Sequence, residues 1–201
     1  MRAYRLPLVV LAALWPGDGR SQEPVSDPDV LVYVTGVNLV PRPVNLRAQA
    51  IASAIFARIN VRITWLESMP RPAQGSGNPV VIHVQYVRRA ADDCSREALA
   101  YSQLLSKAGK EISVLVEQVR MTAAPFHFEQ VLGHVLAHEI AHSLASASYH
   151  SKTGVMKAVW DRTDFMAMGR APLDFTNLDV ILIRRGLAAR VATLPRNPSG
   201  L

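Results

Sequence analysis

His138-Glu139-Ile140-Ala141-His142 sets two imidazoles and a carboxylate at the spacing that metal-assisted hydrolysis needs. On a helix, residues four apart share one face, so His138 and His142 can hold one ion between them. Glu139, beside the first of them, sits where a carboxylate can act as general base on a polarised water. The pattern is that of a zinc hydrolase. H-E-x-x-H is short enough to arise by chance, so its surroundings matter. Val135, Leu136, Ala137, Ile140, Ala141 and Leu144 are all uncharged, whereas a surface helix would put Lys or Glu in those gaps. The competing reading is a helix with scattered histidines, some of them core residues.

A catalytic zinc usually takes three protein ligands and leaves a fourth position for water. No Glu follows Glu139, which closes one common route to a third ligand. Asp161, Asp164, Asp174 and Asp179 remain available as carboxylate ligands. His150 is the only histidine beyond His142 and lies twelve residues after His138. A short reversal after the helix can swing it back to the metal. Imidazole suits zinc and the tether is short, so His150 is favoured over the aspartates. His134, one turn before His138, would sit too far from a shared ion and reads as structural. His127 and His83 carry no partner signal.

Val135 through Met156 resembles the metzincins, the clan of zinc endopeptidases with three His ligands and a methionine-containing turn beneath the metal. Ser151-Lys152-Thr153-Gly154-Val155-Met156 is similar to the Met-turn approach of their matrixin-like members. Closer still is a group of predicted-secreted bacterial proteins with the pattern V-L-x-H-E-I-G-H-L-L-L-G followed by S-H-S-x-x-G-I-M. The resemblance implies that His138, His142 and His150 bind Zn(2+), that Glu139 is the base, and that Met156 supports the site. The chain departs from the pattern at two positions. The usual turn Gly and third His positions hold Ala145 and Ser148, and no Gly occurs between His142 and His150. A left-handed turn there falls on Ser or Ala, at a cost of roughly 1 kcal/mol.

At 201 residues, 49% hydrophobic and 19% charged, the chain suits one folded domain with a sizeable core. Residues 1–21 read as a signal peptide: Arg2 and Arg5 precede an apolar run from Leu6 to Trp15 and a polar exit. That run is too short to be a permanent membrane span. Residues 22–201 then form a single catalytic domain, secreted or periplasmic, and a monomer is expected. The net charge of +6 is spread along the chain without aromatic-interleaved basic runs, which argues against a nucleic-acid partner. Cys94 is the only cysteine, so no intramolecular disulfide is possible, and burial is its expected fate.

The expected fold is α/β, a twisted mixed sheet of five strands with a crossover helix, an active-site helix and a C-terminal helix. Val30 to Val37 is a β-branched strand, Pro43 to Asn60 a helix with Ile51, Ile55 and Ile59 on one face, and Val61 to Leu66 a second strand. Met69 to Pro79 is a loop, and the apolar Val80 to Val87 a central strand. This order suggests a parallel βαβ unit. Arg88 to Glu97 reads as loop. Ala98 to Leu104 and Ile112 to Val119 form an antiparallel pair. The resemblance implies that the first of these is the edge along which a peptide lies. The active-site helix runs from Phe126 to about Leu144, and Lys157 to Pro172 is mostly loop. Thr176 to Asp179 resembles a capping box opening a last helix to about Leu187, and the tail from Leu194 frays.

Two functions follow as expectations. The first is a secreted zinc endopeptidase acting on a peptide or protein substrate. The second, motivated by the missing turn glycine, is a non-catalytic zinc-containing binding module of the same fold.

Overall fold

The computed structural model describes residues 29–69, 80–88, 99–105, 109–124 and 126–192. The expected signal peptide, Cys94, most of the loops expected over 69–79 and 88–97, and the tail expected to fray lie outside them.

Alternation builds the sheet. In β1 (Asp29–Thr35), Val30, Val32 and Val34 point into the core, as do Ile82, Val84 and Tyr86 of β3 (Val80–Val87). The chain leaves β1 through a short 3-10 turn at Val37–Leu39, enters helix α1 (Arg42–Ala57) and returns in β2 (Arg62–Leu66). β1 pairs parallel with both β2 and β3, and β3 with β5 (Gly109–Leu115), so four strands run parallel. β4 (Ala100–Leu105) lies antiparallel against β5 at the edge, in the order β2-β1-β3-β5-β4. β3 is thus internal, as its apolar sequence suggests, and β4 is an edge strand.

Two expectations need correction. The strand expected over Ile112 to Val119 ends at Leu115, and helix α2 (Val116–Ala123) begins at once. Val116, Val119 and Ala123 are buried at helical spacing, while Glu117 and Arg120 complement the helix ends. The expected loop over Lys157 to Pro172 contains helix α4 (Arg162–Met168). Its start is set by Asp161, whose Oδ1 accepts from the Thr163 and Asp164 amides at 2.8 and 3.2 Å. Asp164 Oδ2 in turn accepts from the Asp161 amide at 2.9 Å.

Helix α3 (Phe128–Ala145) is the hub. It is buried on nearly every side, from Val131 through Ala137 and again at Ile140, Ala141 and Leu144. A helix apolar all round has to be enclosed, and α1 and α5 (Asn177–Ala192) enclose this one against the sheet. Ala48 and Ala52 of α1, both fully buried, let the two backbones approach. Ile55 of α1 and Ile59, in the turn just past its end, join the same core, and Ile51 packs against it. On the α5 side, Gly186 lies against the end of α3: a methyl group there would sit 1.9 Å from the Leu144 carbonyl oxygen.

That approach is testable. Gly186→Ala must push α5 off α3 and should cost roughly 1–3 kcal/mol, whereas Gly169→Ala, with no atom nearer than 3.6 Å, should change stability by less than about 0.5 kcal/mol. Urea denaturation of both variants decides the matter; equal stabilities would refute the close approach.

Candidate metal centre

His138 and His142 project from α3 one turn apart, and the chain brings a third imidazole to meet them. The reversal begins at Ser146, which closes α3 in the left-handed conformation with φ 52°. This is the strained position expected in the absence of Gly, and it falls on Ser. The Arg190 guanidinium of α5 reaches across to it, donating to the Ser143 carbonyl at 2.5 Å and to Ser146 Oγ at 3.4 Å. A cation at a helix C-terminus both satisfies an end carbonyl and complements the helix dipole.

Beyond the turn, His150 folds back over α3. His142 Nε2 lies 3.0 Å from His138 Nε2 and 3.1 Å from His150 Nε2. One nitrogen of each ring lies within 4.8 Å of the other two, the spread that a single metal ion spans. The opposite nitrogens of two rings are fixed. His138 Nδ1 is 2.8 Å from the Val155 carbonyl oxygen and His142 Nδ1 is 2.9 Å from that of Ala147. A carbonyl can only accept, so each Nδ1 carries the proton. In the neutral ring each Nε2 is then a lone pair, and these lone pairs converge. Burial also holds His138 neutral, lowering its pKa to about 4. Carbonyl partners of this kind orient metal-binding imidazoles and raise their basicity.

The segment carrying Val155 is anchored from two directions. Ser151 donates its amide to the Met156 carbonyl at 2.8 Å, closing the turn, and Val155 donates to the Asp174 carbonyl at 3.0 Å. Gly154 takes φ 79° under that same carbonyl, where a side chain would lie 2.3 Å from the oxygen. Met156 is buried and borders one small void together with His142 and Ile183. Asp179, on the first turn of α5 and nearly inaccessible, accepts from Ser151 Oγ at 2.5 Å and from the Thr176 amide and hydroxyl, each at 2.7 Å. It ties the residue after His150 to α5.

The carboxylates weighed as third ligands are all otherwise engaged. Asp161 and Asp164 clasp Lys157 at 2.6 and 2.5 Å, Asp174 pairs with Arg58 at 2.5 Å, and Asp179 holds Ser151 and Thr176. None joins the imidazole cluster among the described residues. His134 also stays out of it: its ring bonds to Gln130 and Leu173. His83 sits on the sheet against Thr35, and His127 precedes α3.

Glu139 follows His138 on α3, and burial raises its pKa to about 7. Desolvation disfavours the charged form, and a carboxyl so raised can take and release protons near neutrality. Beside His138 opens a cleft of about 500 Å³, walled by Leu99 and Ala100 at the sheet edge, Val135 of α3, and Lys157, Val159 and Trp160. Trp160 stands edge-on to the His138 ring, with centroids 5.6 Å apart. Sequence patterns did not single out Arg190, and they marked Asp179 only as a candidate ligand and a capping residue, not as the partner of Ser151; both come from α5.

No protein-family model matches the chain, and no curated protein matches it in sequence. The site's own geometry therefore carries the functional argument.

Two expectations follow. Asp179→Ala leaves three donors without their acceptor and should destabilise the chelator-treated protein by roughly 1–3 kcal/mol in urea; wild-type stability would refute the tie. The second concerns pH. His134 and His138 are both lowered from 6.5 to about 4 by burial, so between those values the unfolded chain binds more protons and stability falls as pH drops. Glu139, raised from 4.5 to about 7, acts with the opposite sign, its contribution fading as pH rises through that range. The two histidines outweigh one carboxyl. Metal-free protein should therefore lose stability from pH 6.5 toward 4, more steeply in Glu139→Gln, as denaturation midpoints across that range will read.

Proposed function

We propose that this protein is a zinc-dependent endopeptidase of the metzincin type, exported from the cell. One observation carries the reading: three imidazole nitrogens converge, two of them on rings whose far nitrogens are tied to carbonyls. Three neutral nitrogen ligands suit zinc, and three protein ligands leave a position for water and substrate. The H-E-x-x-H sequence, the cleft beside His138 and the raised Glu139 support a catalytic use of that position.

When bound, zinc would supply Lewis acidity to a water and to the scissile carbonyl oxygen. His138, His142 and His150 would hold it. Glu139 takes a proton from the attacking water and passes it to the leaving amine, a role that needs the carboxylate form at the start. The peptide lies in the cleft between the start of β4 and the 157–160 segment, which Ala100 and Trp160 both line. A sheet with an edge strand beside the cleft, a buried helix carrying His138 and His142, and a turn at Met156 are consistent with the same reading. A non-catalytic module was motivated by the missing turn glycine. Ser146 takes the left-handed conformation that glycine would have supplied, which weakens that motive.

His138→Ala, His142→Ala and His150→Ala should each weaken zinc binding by at least tens-fold, whereas Glu139→Gln should keep zinc and lose hydrolysis. Metal analysis after dialysis and a broad peptide-cleavage screen give the two readouts. Glu139→Gln losing zinc as fully as the His variants would overturn the assigned roles, and zinc retention by wild type without cleavage of any peptide would favour the binding module. Activity should also fall on the acid side with the protonation of Glu139. That limb should lie below pH 7, because a dication nearby lowers a carboxyl that burial alone raises to about 7.

A further inference from the structure

His134 is fully buried on α3, one turn before His138, and the proposed chemistry makes no use of it. Its ring nevertheless has both nitrogens engaged. Nδ1 is 2.7 Å from the Gln130 carbonyl oxygen, which can only accept, so Nδ1 carries the proton. Nε2 is then a lone pair, and the Leu173 amide donates to it at 3.0 Å. This imidazole is a through-connection. It takes a hydrogen bond from a loop thirty-nine residues away and delivers one to its own helix.

The loop it grips leads back to the metal centre. Next to Leu173, Asp174 accepts the Val155 amide at 3.0 Å, and Val155 in turn accepts from His138 Nδ1 at 2.8 Å. The path leaves α3 at His138, crosses the Val155 peptide and the 173–174 peptide, and re-enters α3 at His134. His134 and His138 are four apart and share a face, so they grasp the two ends of one hydrogen-bonded tie. Arg58, at the end of α1, steadies the same loop by donating to the Pro172 carbonyl at 3.0 Å and to Asp174. Trp160 stands edge-on to both imidazoles, with centroids 6.2 Å from His134 and 5.6 Å from His138, and its Nε1 donates to the Gly154 carbonyl. Between them these contacts leave the Val155 carbonyl little room to move.

We propose that His134 is a positioning residue of the metal centre: by holding the Leu173 amide it fixes the Val155 carbonyl, and so the orientation and tautomer of the His138 ring. The proposal rests on the metal-binding reading of His138, His142 and His150. It explains why a histidine stands here. The position needs a donor toward the helix and an acceptor toward the loop on one rigid ring, and a neutral imidazole supplies both. Outer partners of metal ligands are worth roughly 10–100-fold in metal affinity. His134 acts one link further out, so the low end of that range is expected.

The test uses the two amides that each mimic one side of the ring. His134→Gln can place its amide oxygen near Nε2 and keep the Leu173 bond, whereas His134→Asn is too short to reach Leu173. Zinc affinity, measured by competition with a chromophoric chelator, should fall about 10-fold in His134→Asn and by much less in His134→Gln. His150→Ala serves as the reference for a lost ligand. Equal affinities in the two amide variants, or Asn binding more tightly than Gln, would overturn the proposal even if both were less stable than wild type. A second measurement needs no variant. Long-range nitrogen-15 NMR of metal-free wild-type protein should show His134 and His138 both protonated at Nδ1, and a His134 protonated at Nε2 could not accept from Leu173 and would also overturn it. If wild-type protein binds no zinc, the metal reading fails, while these tautomers still report on the tie.

Discussion

Three imidazoles will present lone pairs to one another only when the far side of the rings is controlled. Like dipoles at 3.0 and 3.1 Å repel unless a cation lies between them, and a free ring would rotate or shift its proton to escape. Here His138 and His142 are pinned by the carbonyls of Val155 and Ala147. Most of the structure around α3 can be understood as what holds those two carbonyls still. Ala147 follows the left-handed Ser146, gripped by Arg190 from α5. Val155 lies in a turn closed by Ser151 and Met156 and suspended from Asp174.

The burial of α3 serves the same end. A surface helix would leave His138 free to choose water as its partner, and water does not select a tautomer. Enclosure by α1, α5 and the sheet removes that choice, and close approach of Gly186 to the helix end keeps α5 near enough for Arg190 and Asp179 to act. The enclosure also has a cost. Buried neutral histidines cost stability as pH falls from 6.5 toward 4, and a carboxyl raised to about 7 costs it as pH rises from 4.5. A fold arranged for stability alone would place none of them there.

Much of this was legible in the residues. Alternating Val residues in β1, the apolar run of β3 and the isoleucine face of α1 each report a periodicity set by one element, and their bounds agree with the structure to within a few residues. His138 and His142 follow from helical spacing, and His150 from a short tether and the suitability of imidazole over the four downstream aspartates. What sequence did not disclose has a physical reason in each case. The stretch from Ile112 to Val116, apolar but for Ser113, hides the change from strand to helix, because Val116 serves both patterns. α4 spans seven residues, too few for a period, and is marked only by Asp161 with Asp164. Arg190 and Leu173 reach α3 from 47 and 39 residues away, where no local pattern can announce them, and Asp179, legible as a capping residue, gives no sign that it also holds Ser151 28 residues away.

Ser146 shows how a left-handed turn can be made without glycine. Where the metzincin pattern has glycine soon after the second histidine, this chain has Ala145, and the left-handed residue comes one position later as Ser146. A serine there bears a penalty of roughly 1 kcal/mol from its Cβ. Its hydroxyl offers what glycine lacks, a contact for the Arg190 guanidinium that already holds the Ser143 carbonyl. Glycine would relieve the backbone and give up that contact, and with it a link between the α3 terminus and α5. The later turn also lengthens the path to the third imidazole, and the chain uses that length to carry the Ala147 carbonyl to His142 before His150 arrives. Strain at one residue, a side-chain contact from a distant helix and the orientation of the His142 ring therefore meet within one turn of chain.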